Sequence, residues 1–179
     1  FYTPSQKAIF NIPTAIENTS QQPNDQFPFI LTTGRIRDQW HTMTKTGKVS
    51  RLMTHIPSPM LEINPIDAYK SGIENGDIVV VTSKNGTVRV KAKVSDSIRE
   101  RVVFLPMHWG KQLENDLNRT NNLTNTIVDP VSKEPDFKYT TVAVTKYVKP
   151  FEKIAVVGAG AAAFRFIQNY REINTSDEI

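Results

Sequence analysis

Residues 78–94 read Ile-Val-Val-Val-Thr-Ser-Lys-Asn-Gly-Thr-Val-Arg-Val-Lys-Ala-Lys-Val, and this stretch decides the fold class of the chain. Its first part, Ile78 to Val81, is a series of β-branched residues typical of a strand. Asn85-Gly86 is a signal for a tight hairpin turn. From Val88 to Val94 an apolar residue occupies every second position, which predicts a second strand with one buried face and one solvated face.

Further short elements are predicted on both sides of this hairpin. Asn64 is suited to be the N-cap of a short helix, Pro65 its first residue, and Gly72 the residue that ends it. Other short apolar segments predict strands at Phe29–Leu31, Arg101–Leu105 and Thr140–Val144. Many short strands with one or two short helices indicate a mainly β protein built as a closed or nearly closed β-barrel.

Composition excludes several function classes. The 179 residues contain 22 Lys and Arg against 18 Asp and Glu, a net charge of +4 without long blocks of like charge, so charge alone does not imply nucleic-acid binding. The absence of cysteine excludes disulfides and cysteine-ligated iron-sulfur clusters in this segment. No apolar stretch reaches membrane-spanning length and no signal peptide is visible. A chain that opens at Phe1 without methionine is expected to be cut from a longer one.

A polar segment follows the first predicted strand and is the main candidate binding site. It consists of Thr33, Gly34, Arg35, Ile36, Arg37, Asp38, Gln39, Trp40, His41 and Thr42. A glycine, two guanidinium groups and several hydroxyls at the end of a strand favour a loop that holds a phosphate-bearing ligand. The alternative is an ordinary basic surface loop.

The C-terminal tail changes character. Lys153–Val157 has the pattern of a buried strand, Gly158–Ala163 is a GxGxxA turn, and Phe164–Ile173 is predicted to be a helix. A strand, a glycine turn and a helix in this order form the first half of a dinucleotide-binding unit. The second strand and its acidic residue would come after Ile179, so this truncated tail is not expected to bind a cofactor.

These patterns divide the chain into four predicted segments. Residues 1–26 are an extended lead-in rich in Gln, Asn, Ser, Thr and Pro, and residues 27–148 are the barrel. Residues 149–152 are a linker that begins with Lys149-Pro150. Residues 153–179 are the truncated start of a domain of the FAD- or NAD(P)-binding, Rossmann-like type.

Several ordered motifs, taken together, resemble one known family. These are the Thr33–Thr42 loop, the helix and strands between Asn64 and Leu105, Pro-Met-His-Trp-Gly at 106–110, Asn-Asn-Leu-Thr at 121–124, and residues 129–138. They are similar to the C-terminal molybdopterin dinucleotide-binding domain of bacterial assimilatory nitrate reductases, which belong to the molybdopterin oxidoreductases. The resemblance extends from Phe1 to Val144. It implies a six-stranded double-psi β-barrel like the C-terminal domain of formate dehydrogenase and DMSO reductase.

The resemblance also assigns roles within the predicted loop. Thr33–Thr42 would cradle one guanine dinucleotide arm of a bis-molybdopterin cofactor. Gly34 would let the backbone approach the ligand, and Arg35 and His41 would lie near its polar groups. This fits the chemistry of a pyrophosphate, which needs N–H donors, hydroxyls and a cation.

Outside the loop, the resemblance implies two further cofactor positions and a substrate funnel. Asn121 and Lys138 match the cofactor positions. The funnel residues would be Met107, His108 and Trp109. No catalytic residue and no metal ligand is expected in this segment, since the family places the metal's protein ligand in other domains.

Each of these side chains also has a purely structural interpretation. Trp40 and Trp109 would then be core or rim aromatics. His41 and His55 would be satisfied by backbone carbonyls. Lys138 would be a solvated lysine in an exposed pair.

For the complete protein, the resemblance implies two-electron reduction of nitrate to nitrite at molybdenum. The expected cofactors are molybdenum with bis-molybdopterin guanine dinucleotide and a [4Fe-4S] cluster, the cluster being held by N-terminal domains of the same polypeptide. This segment would supply cofactor affinity and orientation, and would be inactive alone.

The tail carries a second resemblance, to the opening of the FAD-binding domain of the nitrite reductase large subunit. We therefore expect a fusion of the nitrate reductase to an NAD(P)H-oxidising flavin module. Such a fusion predicts a cytoplasmic enzyme, without membrane or nucleic-acid partners.

Four other functions stay open at this point. One is a molybdopterin oxidoreductase that acts on formate or another oxyanion. Another is a double-psi barrel that serves as a protein-interaction module, as in some ATPases. The remaining two are a small flavin or nicotinamide enzyme built on Gly158-Ala159-Gly160, and a weak nucleic-acid binder, which a sequence pI near 9.3 would permit.

Overall fold

The structure is a computed structural model that describes residues 1–10, 22–110, 118–129, 132–149 and 160–173, the last helix with side chains to residue 169. These residues form six strands: β1 (Phe29–Gly34), β2 (Met60–Ile63), β3 (Ile78–Thr82), β4 (Thr87–Val94), β5 (Val102–Pro106) and β6 (Thr140–Lys146). The α-helices are α1 (Ser50–Met53), α2 (Pro65–Lys70) and α3 (Ala161–Ile173). Two 3₁₀ helices cover Thr46–Lys48 and Thr120–Asn122.

The strands close into a barrel in the order β1-β5-β2-β4-β3-β6. Two pairs, β1 with β5 and β2 with β4, are parallel, and the remaining pairs are antiparallel. Two parallel pairs in a six-stranded closed barrel fit the double-psi arrangement. The predicted closed, mainly β fold is confirmed.

Alternation along the strands fills the barrel interior. On β4, Val88, Val90 and Ala92 are buried while the residues between them are exposed. The core contains Phe29, Leu31, Leu61, Ile63, Ala68, Ile73, Val79, Val81, Val88, Val90, Ala92, Val103, Leu105, Leu123, Val142 and Val144. Each fully buried Val, Leu or Ile contributes about 1.5–3 kcal/mol, so this cluster is the main source of stability.

The predicted hairpin between β3 and β4 is present, but its glycine has a different purpose from the one that the turn signal suggested. The Ser83 N–H donates to the Gly86 carbonyl at 2.9 Å, so the tip of the turn is formed by residues 84 and 85. Neither Asn85 nor Gly86 has the positive φ that a type I′ turn requires at its centre. A Cβ on Gly86 would instead lie 2.7 Å from the carbonyl oxygen of Asn122. Glycine is needed here because another backbone segment approaches closely.

The signals for helix α2 are confirmed. The Asn64 side chain accepts a hydrogen bond from the Ile66 N–H at 2.9 Å, and Pro65 is the first helical residue. Gly72 follows the helix with φ +63°, the left-handed conformation that glycine adopts without strain. The Asn64 amide also donates to the Ile98 carbonyl at 2.7 Å, which joins the helix start to the segment before β5.

Asp67 fastens α2 to the start of β5. Its carboxylate, 5% exposed, accepts a hydrogen bond from the Arg101 N–H at 2.6 Å. Arg101 has φ +59°, a conformation that costs a non-glycine residue about 1–2 kcal/mol. The Asp67 carboxylate therefore stabilises a strained residue directly before β5.

Contacts along the chain divide it into two compact units, Phe1–Lys146 and Tyr147–Ile179. In the second unit α3 matches the predicted helix and begins three residues earlier, at Ala161 rather than Phe164. The predicted strand at Lys153–Val157, together with residues 158 and 159 of the glycine turn, lies outside the described residues. The four-segment division of the chain stays a prediction.

No helix among the described residues combines the length and the apolar character needed to cross a lipid bilayer.

Replacing the buried carboxylate tests its role. We expect Asp67→Ala to lower the free energy of unfolding by about 1–3 kcal/mol, because the Arg101 N–H loses its acceptor. Asp96→Ala, at an exposed position between β4 and β5, is the matched control and should change stability little. Urea denaturation measures both, and equal losses in the two variants would contradict this role.

Candidate functional site

The parallel pairing of β1 with β5 brings two predicted site segments together. Gly34 pairs with Pro106 at the last position of the register, and the Met107 N–H continues the pairing to the Gly34 carbonyl at 2.9 Å. The segments after both strands therefore leave the barrel side by side. We call this the β1–β5 end of the barrel, and it carries both the Thr33–Thr42 loop and Met107 to Trp109.

The loop after β1 forms an open cavity of about 420 Å³. Its lining consists of Arg35, Ile36, Arg37, Gln39 and Trp40. The Arg35 guanidinium lies over the Trp40 ring, 4.5 Å from its centroid, and Trp40 is 58% exposed. Two guanidinium groups and an exposed aromatic face can bind an anion and a flat ring in the same depression.

Buried polar contacts support the loop from beneath. Gln39 is buried, and its amide donates to the Leu52 carbonyl at 3.1 Å and accepts from the Thr46 hydroxyl at 2.7 Å. The Trp40 N–H donates to the same hydroxyl at 3.2 Å. Gln39 and Thr46 therefore fix the backbone that presents the Trp40 ring.

Two residues of this region have the left-handed backbone conformation that favours glycine. His41 has φ +45° and Met43 has φ +59°. Met43 is fully buried, and its N–H donates to the Trp40 carbonyl at 2.9 Å. Such backbone strain persists only where surrounding contacts fix it, and it is frequent at binding sites.

His108 lies directly behind the loop with both ring nitrogens in use. Nε2 accepts a hydrogen bond from the Ile36 N–H at 2.9 Å, and Nδ1 donates to the His41 carbonyl. His108 is 3% exposed, and this burial lowers its pKa below the ordinary value of 6.5. The hydrogen bond to His41 raises the pKa, and the Arg35 charge lowers it further. The neutral ring with its proton on Nδ1 satisfies both contacts.

Trp109 is buried beside His108, with ring centroids 6.0 Å apart, and Met107 is half-buried. The assignment of Met107, His108 and Trp109 to a substrate funnel stays a prediction.

Lys138 reaches the end of β1. Its ammonium donates to the Thr33 carbonyl, and the Thr33 hydroxyl donates to the Phe137 carbonyl at 2.7 Å. A Cβ on Gly34 would lie 3.1 Å from the Phe104 ring and 3.6 Å from the Lys138 ammonium. Glycine at 34 thus permits close packing of the barrel end itself, and its approach to a ligand stays a prediction.

Asn121 is held at the same end by its neighbour. Thr120, only 1% exposed, donates its hydroxyl proton to the Pro106 carbonyl at 2.6 Å, where β5 ends. Asn121 is exposed within this 3₁₀ helix. The β3–β4 hairpin supports the other side, since Ser83 donates to the Leu123 carbonyl at 2.8 Å and Asn85 to the Thr124 carbonyl at 2.9 Å.

The remaining loop side chains make exposed contacts. Asp38 lies 2.7 Å from His55 Nδ1 and 4.0 Å from the Arg37 guanidinium. The prediction that a backbone carbonyl satisfies His55 is wrong, because the ring is bonded to this carboxylate. Thr42 shares a 2.7 Å hydrogen bond with the Thr44 hydroxyl. Exposed ion pairs contribute little stability, about 0–1 kcal/mol.

The aromatic ring of His41 contacts Trp40 edge-on, with centroids 4.4 Å apart. Its carbonyl, rather than its ring, bonds to His108.

In the part of the chain that the structure describes, no three His, Cys, Asp or Glu side chains are grouped to hold a metal ion. Sequence reasoning assigned no site role to three residues that shape the site: Thr46, Thr120 and Phe137. Thr120 and Phe137 bond to residues of other segments. Thr46 bonds to Trp40 and Gln39, six and seven residues away, a separation that no local turn or helix signal predicts.

Comparison with known proteins identifies the domain type. A family model described as "Molydopterin dinucleotide binding domain" matches residues 29–141. A nitrate reductase from Klebsiella oxytoca is 40% identical over 137 residues, which is 76% of this chain and 16% of that protein. The assimilatory nitrate reductase catalytic subunit of Bacillus subtilis is 32% identical over 145 residues, or 80% of this chain and 20% of that protein.

Similarity is not limited to nitrate reductases. The F420-dependent formate dehydrogenase subunit alpha of Methanocaldococcus jannaschii is 38% identical over 134 residues, covering 75% of this chain and 19% of that protein. Among solved structures, acetylene hydratase from Pelobacter acetylenicus superposes with a TM-score of 0.59 at 17% identity, over 68% of this chain and 18% of that chain. This likeness shows a shared fold, and together with the family match it confirms the double-psi barrel. The chain spans 16% to 20% of the length of these curated relatives.

The close approach of the hairpin to the Asn121 helix can be tested at Gly86. We expect Gly86→Ala to destabilise the chain by about 1–3 kcal/mol, because the new methyl group would overlap the Asn122 carbonyl. Gly110→Ala is the matched control, since an added Cβ there meets none of the described atoms within 4 Å. Urea denaturation compares the two, and an unchanged midpoint for Gly86→Ala would refute the overlap.

Proposed function

We propose that this chain, which belongs to the molybdopterin dinucleotide-binding domain family, holds one dinucleotide arm of a molybdopterin cofactor on the loop after β1. One observation carries this proposal: the cavity at the β1–β5 end is lined by Arg35, Arg37 and Trp40. It lies inside the stretch matched by the family model. A cofactor arm with a pyrophosphate and a flat base requires this combination of groups.

The residues present fit the group in charge and shape. The Arg35 and Arg37 guanidinium groups would bind the pyrophosphate, and the exposed Trp40 face would stack on the base. Lys138 uses one proton for the Thr33 carbonyl, which leaves two donors on its exposed ammonium for an anion. The exposed Asn121 amide offers both a donor and an acceptor. The cofactor itself would supply the redox chemistry, and these residues would bind and orient it.

For the complete enzyme, we infer reduction of nitrate to nitrite. The support is similarity to the nitrate reductases of Klebsiella oxytoca and Bacillus subtilis, at 40% and 32% identity. The inferred cofactors are molybdenum with bis-molybdopterin guanine dinucleotide and a [4Fe-4S] cluster. N-terminal domains of the same polypeptide would hold the cluster and the rest of the cofactor.

A formate dehydrogenase is the second candidate. The Methanocaldococcus jannaschii relative, named a formate dehydrogenase subunit, is 38% identical, almost as similar as the first nitrate reductase. Both candidates use this barrel in the same way, because the proposed loop contacts the cofactor and not the substrate.

We also propose that reducing equivalents come from NAD(P)H through a fused flavin module that binds FAD. The supporting features are the GxGxxA sequence from Gly158 to Ala163 and helix α3, which begins within that turn at Ala161. An enzyme that draws on NAD(P)H in this way would be cytoplasmic.

Cofactor retention tests the loop. We expect Arg35→Ala in the complete enzyme to lower cofactor affinity about 10- to 100-fold, since one charge-assisted contact is worth about 1.5–3 kcal/mol. Molybdenum per polypeptide after gel filtration is the readout.

Lys70→Ala is the matched control for charge. Lys70 is an exposed cation on α2, the helix that follows β2. Because β2 runs antiparallel to β5 and ends beside Val103, near the start of β5, α2 begins at the end of the barrel opposite the β1–β5 end. Equal molybdenum loss in both variants, or none in either, would reject the loop as the cofactor site.

Substrate and electron donor are tested on the complete enzyme. We expect nitrite to form from nitrate with NADH or NADPH as the reductant. Nitrite formation only with an artificial reductant would exclude the flavin fusion and retain nitrate as substrate. Oxidation of formate without any nitrite formation would favour the second candidate.

A further inference from the structure

His108 connects the two segments that meet at the β1–β5 end. One ring nitrogen accepts from the Ile36 N–H and the other donates to the His41 carbonyl. We call these two hydrogen bonds the His108 bridge. Ile36 lies after Arg35, and His41 lies after Trp40, so the bridge fixes the loop backbone beside two of the residues that line the cavity.

This loop needs external support because its own conformation is strained. His41, one of the two residues in the bridge, has φ +45°, which costs a non-glycine residue about 1–2 kcal/mol. The hydrogen bond to the His41 carbonyl comes from the buried His108 ring. The ring could replace this bond by one to water only if it became exposed to solvent. The bridge therefore selects the strained conformation over relaxed alternatives.

We propose that His108 is a positioning residue whose neutral ring, protonated at Nδ1 only, holds Arg35 and Trp40 in the orientation that binds the cofactor, and that protonation of Nε2 releases the loop. This inference rests on the proposed function for its consequence, cofactor retention. The bridge itself consists of hydrogen bonds between residues of this chain and is independent of that function.

The charges around the ring set the direction of its pH dependence. Two groups of the loop interact electrostatically with the His108 ring: the Arg35 guanidinium and the His41 imidazole. Both disfavour the addition of a second proton to the ring. Burial acts in the same direction and is the largest cause of the lowered pKa of His108, and the neighbouring Trp109 carries no charge. An imidazolium has no lone pair, so it cannot accept from the Ile36 N–H.

The direction in which stability changes with pH follows from the difference between the pKa of His108 in the folded and unfolded chain. The pKa of His108 in the folded chain lies below its ordinary value of 6.5, so the folded state resists protonation. The stabilisation by the neutral bridge is fully present above pH 6.5 and is lost as the pH falls below it. We expect the loop to open progressively with acidification in this range.

Two substitutions separate the hydrogen bonds from mere packing. In His108→Gln, the amide oxygen can accept from Ile36 and the amide NH₂ can donate to His41, and neither group titrates. His108→Leu keeps apolar volume and removes both contacts. Val103→Ala is the matched control, because it removes packing from the same strand β5 and leaves the bridge intact.

The first experiment examines the 179-residue chain by NMR. Nitrogen shifts of the His108 ring report the tautomer, and the hydrogen-exchange protection factor of the Ile36 amide reports the bridge at pH 7.5 and 5.5. We expect the Nδ1–H tautomer at pH 7.5 and, as the pH falls from 6.5 towards the lowered pKa of the folded ring, a decrease in protection of up to about tenfold per pH unit. Protection in His108→Gln should not depend on pH. An Nε2–H tautomer, or Ile36 protection that is unchanged in His108→Leu, would overturn the proposal.

The second experiment measures molybdenum retained by the complete enzyme after dialysis at pH 7.5 and 5.5. The wild type should lose cofactor only at pH 5.5, His108→Gln at neither pH, and His108→Leu at both. The proposal fails if Val103→Ala loses as much cofactor as His108→Leu, or if His108→Gln shows the wild-type pH dependence. An enzyme that holds no molybdenum at any pH would reject the proposed function, and the NMR experiment would still decide whether the bridge exists.

Discussion

The parallel pairing of β1 with β5 is the contact on which the candidate site depends. Its register places Gly34 beside Pro106, so the segments that follow both strands begin at the same height on the barrel. A shift of one residue would turn every side chain of β1 to the opposite face and expose the core residue Leu31. It would also separate Ile36 from His108. The burial of the barrel core therefore fixes the loop geometry, since the register that fills the core is the one that aligns the loops.

Around this end, buried polar groups stabilise what the backbone alone would not adopt. A buried polar group left without a partner costs about 1–3 kcal/mol, comparable to the strain of one left-handed non-glycine residue. Gln39, Thr120 and His108 are all buried and all bonded to backbone groups of another segment. The loss of one such hydrogen bond costs about as much free energy as one left-handed non-glycine residue. The loop conformation therefore depends on several of these hydrogen bonds together.

The proposed cofactor role would explain why this chain is similar to relatives that are named for different substrates. The features that face outward from the β1–β5 end are cations and an aromatic ring, which suit a cofactor with a pyrophosphate and bases. The named nitrate reductase and formate dehydrogenase relatives are 40% and 38% identical to this chain, a difference too small to separate their substrates. The proposed role, in which the loop of this domain binds the cofactor, would account for this similarity.

Local sequence determined the elements: the alternation along β4, the Asn64 cap and Gly72 stop of α2, and the composition of the Thr33–Thr42 loop are all patterns within a few residues. Tertiary structure alone decided how that loop is held. His108 meets Ile36 across 72 positions, and Lys138 meets Thr33 across 105. Gly86 illustrates the limit, because its turn was predictable while the backbone that requires glycine there is that of Asn122. Local propensities act over a few residues, whereas these contacts exist only after closure of the barrel has brought distant segments together.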